Sequence, residues 1–299
     1  MTRSSTVLVT GADGQLADAI VRAFAGWHIV AHTRATMDIT DSASVRRVVG
    51  EEAPDVIVNC AAFNDVDGAE DRPAEAFAVN AFALRSLARA ADATGAALVH
   101  YGTDFVFDGA ASVPYDESAP PSPRSAYAAS KLVGEWFALE AARGYVLRVE
   151  SLFGMPVAWK GRRGTLEKIV EGLEADRDVT VFTDRTVSPS YVEDVAAATR
   201  YLVERGGEPG LYHCVNSGSG TWHDVAADTA RLLGVTPRLT PTTTDQVTLR
   251  ASRPRFCALS NEKLRAAGFS MPTWQDAVRR WLATRRPSGA ARSGLADKA

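Results

Sequence analysis

Tyr127 and Lys131 stand four residues apart in Ser125-Ala126-Tyr127-Ala128-Ala129-Ser130-Lys131, a stretch that reads as the start of a long helix. That spacing places a phenol and an ammonium on one helical face, one turn apart. A free phenol titrates at about 10 and is a poor acid or base at neutral pH. A fixed neighbouring cation favours the phenolate and lowers its pKa towards working pH. Thr103 follows a predicted strand, where a carbonyl substrate would lie. Its hydroxyl can hydrogen-bond the reacting oxygen while Tyr127 donates the proton and Lys131 binds a nicotinamide ribose. The competing reading is a helix that merely exposes a Tyr and a Lys.

A glycine-rich turn near the start of the chain gives the pair its meaning. Gly11-Ala12-Asp13-Gly14-Gln15-Leu16-Ala17 follows a short apolar run. Glycines there allow a tight turn and close approach of a pyrophosphate to a helix N-terminus, so Gly11, Gly14, Gln15 and Leu16 are candidate cofactor contacts. The spacing is G-xx-G-xx-A and not G-x-G-xx-G. Alanine can still serve as the third small residue that lets helix pack on strand. A turn that binds nothing is the alternative. The next strand ends in His32-Thr33-Arg34, with no acid at its tip. An acid there would hold a ribose 2′-hydroxyl, whereas Arg34 accommodates a 2′-phosphate. The cofactor expected is therefore NADPH, with NADH as the alternative and a solvated Arg34 as the competing reading. Asp38 and Ile39 are candidates to line the adenine, although Asp38 serves equally as a turn residue.

The elements that must position these groups alternate. Thr6–Thr10, His28–His32, Val56–Asn59, Ala97–Tyr101 and Tyr145–Val149 read as strands. Between them lie helical patterns over Gln15–Ala25, Ser42–Glu52 capped by Asp41, Pro73 to Ala93, and Tyr127 to Ala142. This predicts a Rossmann-like α/β fold, a doubly wound parallel sheet with helices on both faces, and ligands at the carboxyl ends of its strands. Thr10, Asn59, Thr103 and Glu150 fall at those ends. Residues 1–150 form the expected dinucleotide-binding domain, with segments near 181–205 returning to it. Residues 151–284 form mainly a smaller α/β substrate lobe, with helices over Thr165–Ala175, Val192–Glu204, His223–Leu233, Asn261–Ala267 and Trp274–Thr284. Thr221 and Thr273 are its candidate caps, and Leu211–Val215 is one of its short strands. Residues 285–299 read as a disordered tail.

Composition narrows the classes. The chain has 299 residues, enough for one large α/β domain with a lobe. A net charge of −3 leaves no electrostatic footprint for nucleic acid or an anionic membrane. Cys60, Cys214 and Cys257 are far apart and read as reduced thiols of a cytoplasmic protein. No signal peptide, membrane span or metal-spaced histidine set is expected.

Asn59-Cys60-Ala61-Ala62-Phe63, Val66-Asp67-Gly68-Ala69-Glu70, Val79-Asn80-Ala81, Gly102-Thr103-Asp104-Phe105-Val106-Phe107-Asp108-Gly109 and Tyr127-Ala128-Ala129-Ser130-Lys131-Leu132-Val133-Gly134-Glu135 carry a family resemblance. Ser188-Pro189-Ser190, Leu211-Tyr212-His213 and Arg253-Pro254 with Leu259 extend it across residues 6 to 284. The chain resembles the extended short-chain dehydrogenase/reductase family, and more closely its dTDP-4-dehydrorhamnose reductase group. The resemblance implies that Thr103, Tyr127 and Lys131 are catalytic and that Cys60, Ala61 and Ala62 line the cofactor. It also implies hydride transfer from NAD(P)H to C4 of a nucleotide-linked 4-keto-6-deoxy sugar. Thr103, Asp104, Val106, Glu150, Ser151, Arg185, Ser190 and Arg253 are the expected substrate contacts. Arg185 and Arg253 either pair a diphosphate or are solvated.

Two segments depart from the group. Gly102 replaces the usual Ser. In Arg148-Val149-Glu150-Ser151-Leu152-Phe153-Gly154, Ser151 replaces a Trp expected to pack on the sugar, and Glu150 is new. Glu150 either binds a sugar hydroxyl or salt-bridges Arg148. The altered pocket leaves the hexose and its C4 stereochemistry open. A sugar-nucleotide epimerase or 4,6-dehydratase is one alternative, but the dehydratase needs a further acid/base pair, and Phe105 stands where its second carboxylate would follow Asp104. A non-catalytic NADP-binding regulatory subunit is the other alternative. The expected partner is a small-molecule nucleotide sugar, and a homodimer is left open.

Overall fold

Val7 and Val9 face one side of their strand and Leu8 the other, and all are fully buried. Such a strand has both faces covered and belongs inside a parallel sheet. The computed structural model describes residues 5–154, 163–205 and 207–285. Its first half runs β1 (Thr6–Thr10), α1 (Gln15–Ala23), β2 (His28–His32), α2 (Ser42–Glu52), β3 (Val56–Asn59), α3 (Val66–Asp71), α4 (Pro73–Phe77), a π-helical turn (Ala78–Phe82), α5 (Ala83–Thr94), β4 (Ala97–Thr103), a 3-10 turn (Asp104–Val106), α6 (Ala126–Leu139) and β5 (Gly144–Val149). The second half runs β6 (Leu152–Phe153), α7 (Thr165–Glu174), β7 (Val179–Phe182), β8 (Thr186–Val187), β9 (Ser190–Tyr191), α8 (Val192–Arg205), β10 (Gly210–His213), β11 (Gly220–Thr221), α9 (Trp222–Leu233), β12 (Leu239–Thr242), α10 (Glu262–Ala266) and α11 (Trp274–Arg285).

The six-stranded sheet has the order β10-β5-β4-β3-β1-β2, with every neighbouring pair parallel. It is the doubly wound, Rossmann-like sheet expected. One face packs on α1 and α8, and the other on α2, α5 and α6. The chain leaves β1 towards β2 and then crosses back to β3, so β1 and β3 flank the topological switch point. The segment expected to return contains α8, which packs on α1. The sheet's edge strand β10 follows it at Gly210–His213. Beyond the sheet lie the pairs β7–β12, β8–β11 and β6–β9.

Local signals explain the element ends. Asp41 accepts from Ala43 N at 2.9 Å and caps α2. Thr221 and Asp224 form a reciprocal capping box on α9, and Thr273 Oγ1 accepts from Asp276 N at 3.2 Å. One expectation is corrected. Pro73 does not open a single long helix: α4 gives way to the π-helical turn before α5 begins. The turn places Asn80 where its side chain joins Phe63 and Ser130, an interruption typical of a functional neighbourhood. Of the expected tail, Arg285 closes α11, and residues 286–299 lie outside the described residues.

Candidate active site

The glycine turn and the end of β3 meet at the switch point. Gly11 has φ +65°, and a Cβ there would lie 2.7 Å from Ala61 Cα and 2.9 Å from the Cys60 carbonyl carbon. Only glycine fits that position on both counts. Gly14 begins α1 without a side-chain cap, which leaves the helix N-terminus and its positive dipole end to an anion. Gly11 is thus brought against Cys60 and Ala61, and Leu16 shares a core cluster with Cys60. Thr10 Oγ1 donates to Asn59 Oδ1 at 2.6 Å, and Asn59 Nδ2 lies 3.1 Å from His100 Nδ1, tying the ends of β1, β3 and β4 together. Arg34 stands at the tip of β2, exposed, 3.8 Å from Asp38. Asp38 takes the turn role: Thr40 N and Oγ1 both donate to its Oδ1. Ile39 is buried among Leu8, Met37 and Val45.

Tyr127 and Lys131 lie in the first two turns of α6, which Ser125 caps by accepting from Ala128 N at 3.2 Å. Asn80 fixes this helix to the chain after β3. Its Nδ2 donates to Ser130 Oγ at 3.0 Å and to Phe63 O at 3.1 Å, while its Oδ1 accepts from Phe63 N at 2.8 Å. Thr103 ends β4 beside Tyr127, whose phenol its hydroxyl influences. Lys131 Nζ donates to Tyr101 O at 2.5 Å. The three expected catalytic residues therefore converge at one strand end.

The electrostatics differ from the simple pair read from spacing. Burial pushes the Tyr127 phenol up, the Asp104 charge adds to that, and only the neighbouring Thr103 hydroxyl opposes. Lys131 commits one of its three donors to the Tyr101 carbonyl. Burial lowers its ammonium to about 8, with Glu135 opposing. A phenol held protonated is the form that can donate a proton to a reduced oxygen.

The expected substrate residues divide. Asp104 and Glu150 are both buried here, with Arg185 acting on each electrostatically. Arg185 also stacks over Phe182. Ser151, between β5 and β6, has φ +46°, a strained left-handed backbone for a residue with a side chain. Val106 is corrected: it is fully buried with Phe107, Leu132, Val215 and Leu259, and packs instead of facing a ligand. Ser190 is likewise fully buried, accepting from Glu150 N at 3.3 Å inside the β6–β9 pair. Arg253 is held by Asp67, with Nη2 donating to Oδ2 at 2.7 Å, and so clamps the second half of the chain to α3. Of the two readings of Glu150, the Arg148 salt bridge does not form, because Arg148 pairs with Glu135 and Glu150 accepts from Ser188 N at 2.7 Å.

Sequence reasoning assigned no role to the Glu135–Arg148 pair. Arg148 Nε and Nη2 donate to the Glu135 carboxylate at 2.8–3.1 Å, and Arg148 also stacks over Phe107. The pair explains Gly102, since a Cβ there would lie 2.2 Å from Glu135 Oε1. The signal available was an acid and an arginine in otherwise apolar elements.

The RmlD substrate binding domain family matches residues 5–286. A Streptomyces griseus protein named dTDP-4-dehydrorhamnose reductase is 38% identical, covering 97% of this chain and 95% of its own length. A Streptomyces niveus dTDP-4-keto-6-deoxy-D-glucose reductase is 37% identical over 88% of this chain and 91% of its own. The crystal structure of dTDP-4-dehydrorhamnose reductase from Bacillus anthracis str. Ames in complex with NADP superposes with a TM-score of 0.88 at 30% identity, covering 94% of this chain and 99% of that one.

Proposed function

The chain belongs to the RmlD substrate binding domain family, and from that premise we propose that it is an NADPH-preferring reductase of nucleotide-linked 4-keto-6-deoxy sugars. The most favoured substrate is the keto sugar of dTDP-4-dehydrorhamnose reductase. One observation carries this reading: Thr103, Tyr127 and Lys131 converge at the carboxyl end of β4, on the edge of the sheet that also holds the Gly11 turn.

The residues present fit a dinucleotide. Gly11 keeps clear the space a Cβ would fill, and the uncapped α1 N-terminus suits a pyrophosphate. Gly14, Gln15, Leu16, Cys60, Ala61 and Ala62 would hold it, with Arg34 meeting a 2′-phosphate and Lys131 the nicotinamide ribose. NADPH supplies the hydride when bound. Tyr127 delivers the proton to the carbonyl oxygen, and Thr103 holds that oxygen in line. Arg185 is the surviving candidate for the diphosphate, because Arg253 is engaged by Asp67.

No helix among the described residues is long and apolar enough to cross a membrane. Cys60, Cys214 and Cys257 are free thiols, which supports a reducing, cytoplasmic setting. A homodimer completes the reading and is checked by light scattering.

NADPH oxidation with dTDP-4-dehydro-6-deoxy-L-mannose generated in the assay is the direct test. Wild type turns over, and Tyr127→Phe binds NADPH yet loses about 10²–10⁴-fold in kcat. A folded, NADPH-binding wild type that reduces no 4-keto sugar overturns the proposal.

A further inference from the structure

Asp104 follows β4 and Glu150 follows β5, and the two carboxyls meet in the interior, 3% and 2% exposed. A carboxylate oxygen of each and Cys257 Sγ all lie within 4.8 Å of one another. Each acid has one oxygen engaged. Asp104 Oδ1 accepts from Thr103 Oγ1 at 3.1 Å, and Glu150 Oε2 accepts from Ser188 N at 2.7 Å. The other oxygens, Asp104 Oδ2 and Glu150 Oε1, are buried without a hydrogen-bond partner. Two adjacent buried carboxylates repel, and idle buried acceptors are costly. One proton held by the pair removes the repulsion, and a protonated carboxyl is a donor.

We propose that Asp104 and Glu150 share a single proton, that its position decides where the Thr103 hydroxyl points, and that Glu150 is thereby a positioning residue for the reduction. The proposal rests on the reductase reading above. Thr103 has one proton to give, and its oxygen already accepts from Phe105 N at 3.3 Å. With Asp104 ionised, that proton goes to Oδ1, and Thr103 offers the Tyr127 phenol and the substrate only an acceptor. With the shared proton on Asp104 Oδ1, the bond reverses: Asp104 donates to Thr103 Oγ1, and the threonine proton turns to the substrate oxygen. Negative charge grows on that oxygen during reduction, so a donor there acts where it matters most.

The surroundings are consistent. Burial raises the Glu150 carboxyl well above the usual range, and the Asp104 charge raises it further. Burial also raises Asp104, to about 6, against the neighbouring Cys257 thiol, the Thr103 hydroxyl and the Arg185 charge. The other groups facing the pair are Tyr127 of α6, which feels the Asp104 charge, and Cys257, whose thiol lies against both acids. Arg185 lowers both acids, so one retained negative charge has a cation to match.

Infrared difference spectroscopy on the ligand-free protein, combined with pH profiles of kcat, tests this. Wild type at neutral pH shows a protonated-carboxyl band that Glu150→Gln removes, because Asp104 ionises once its neighbour is neutral. In turnover, Glu150→Gln shifts the alkaline limb of kcat down by about 1 pH unit or more. It lowers kcat at neutral pH on the order of tenfold while KM holds. Asp104→Asn, whose amide donates to Thr103 at every pH, loses that limb. Three results overturn the proposal: no protonated-carboxyl band in wild type, an equal loss of kcat at all pH values in Glu150→Gln, or a stoichiometric metal ion found on the three donors by elemental analysis. A wild type with the band but no reduction of the keto sugar overturns the reductase reading and the positioning role, and leaves the shared proton supported.

Discussion

The carbonyl of Asn80 occupies the position a side chain on Gly134 would need: a Cβ at 134 would lie 1.9 Å from that oxygen. Helix α6 can therefore approach the π-helical turn only through a glycine, and that approach lets Asn80 bond Ser130 one residue from Lys131. Gly134→Ala is expected to lose about 1–3 kcal/mol by overpacking and to lower kcat with it, since Tyr127 and Lys131 ride on the displaced helix. Urea unfolding and steady-state kinetics check this; a variant as stable and active as wild type would refute the argument.

Glu135→Gln leaves the Arg148 guanidinium buried without its counter-charge. The two side chains are 1% and 4% exposed, so water cannot substitute. The expected cost is about 3–5 kcal/mol, read from denaturant unfolding. A loss below about 1 kcal/mol would show that Phe107 and the surrounding polar groups hold the arginine on their own.

Lys131 gives a pH dependence with opposite signs in stability and in binding. Its ammonium is lowered from 10.5 in the ordinary case to about 8 by burial. Between those values the unfolded chain binds more protons than the fold, so this group's contribution to stability rises with pH across that window. The cation meant for the nicotinamide ribose is lost over the same interval. NADPH affinity should weaken as pH rises through about 8 in wild type and be flat in Lys131→Met. Fluorescence titration measures both, and parallel profiles would count against the assignment.

Arg34 is largely exposed and only loosely paired with Asp38, 3.8 Å away. Arg34→Ala should weaken NADPH more than NADH, by roughly tenfold or less for a solvent-screened contact. The ratio of kcat/KM for the two cofactors reports this directly. An unchanged ratio would assign Arg34 to the solvated surface.

Much of the fold was legible because its determinants are local. Thr6–Thr10, His28–His32 and Val56–Asn59 form strands over the residues expected, since continuous β-branched runs can be satisfied only inside a sheet. The π-helical turn was not legible. Its sequence, Ala78–Phe82, has ordinary helical propensity, and the irregularity arises from bonds Asn80 makes to Phe63 and Ser130. Val106 and Ser190 were misread for a related reason. Motif position gave their neighbourhood, but burial depends on side chains that arrive from distant segments.

By itself the sequence determined the alternating α/β order, the glycine turn at the first strand and the residue types of Thr103, Tyr127 and Lys131, all of which follow from spacing within one element or its ends. The tertiary structure decided which charges meet. Asp67 reaches Arg253 across 186 residues, Arg148 takes Glu135 in preference to Glu150, and Glu150 is left beside Asp104. Pairings of this kind depend on how strands cross over and on which groups water can reach. Neither is written in any short stretch of chain.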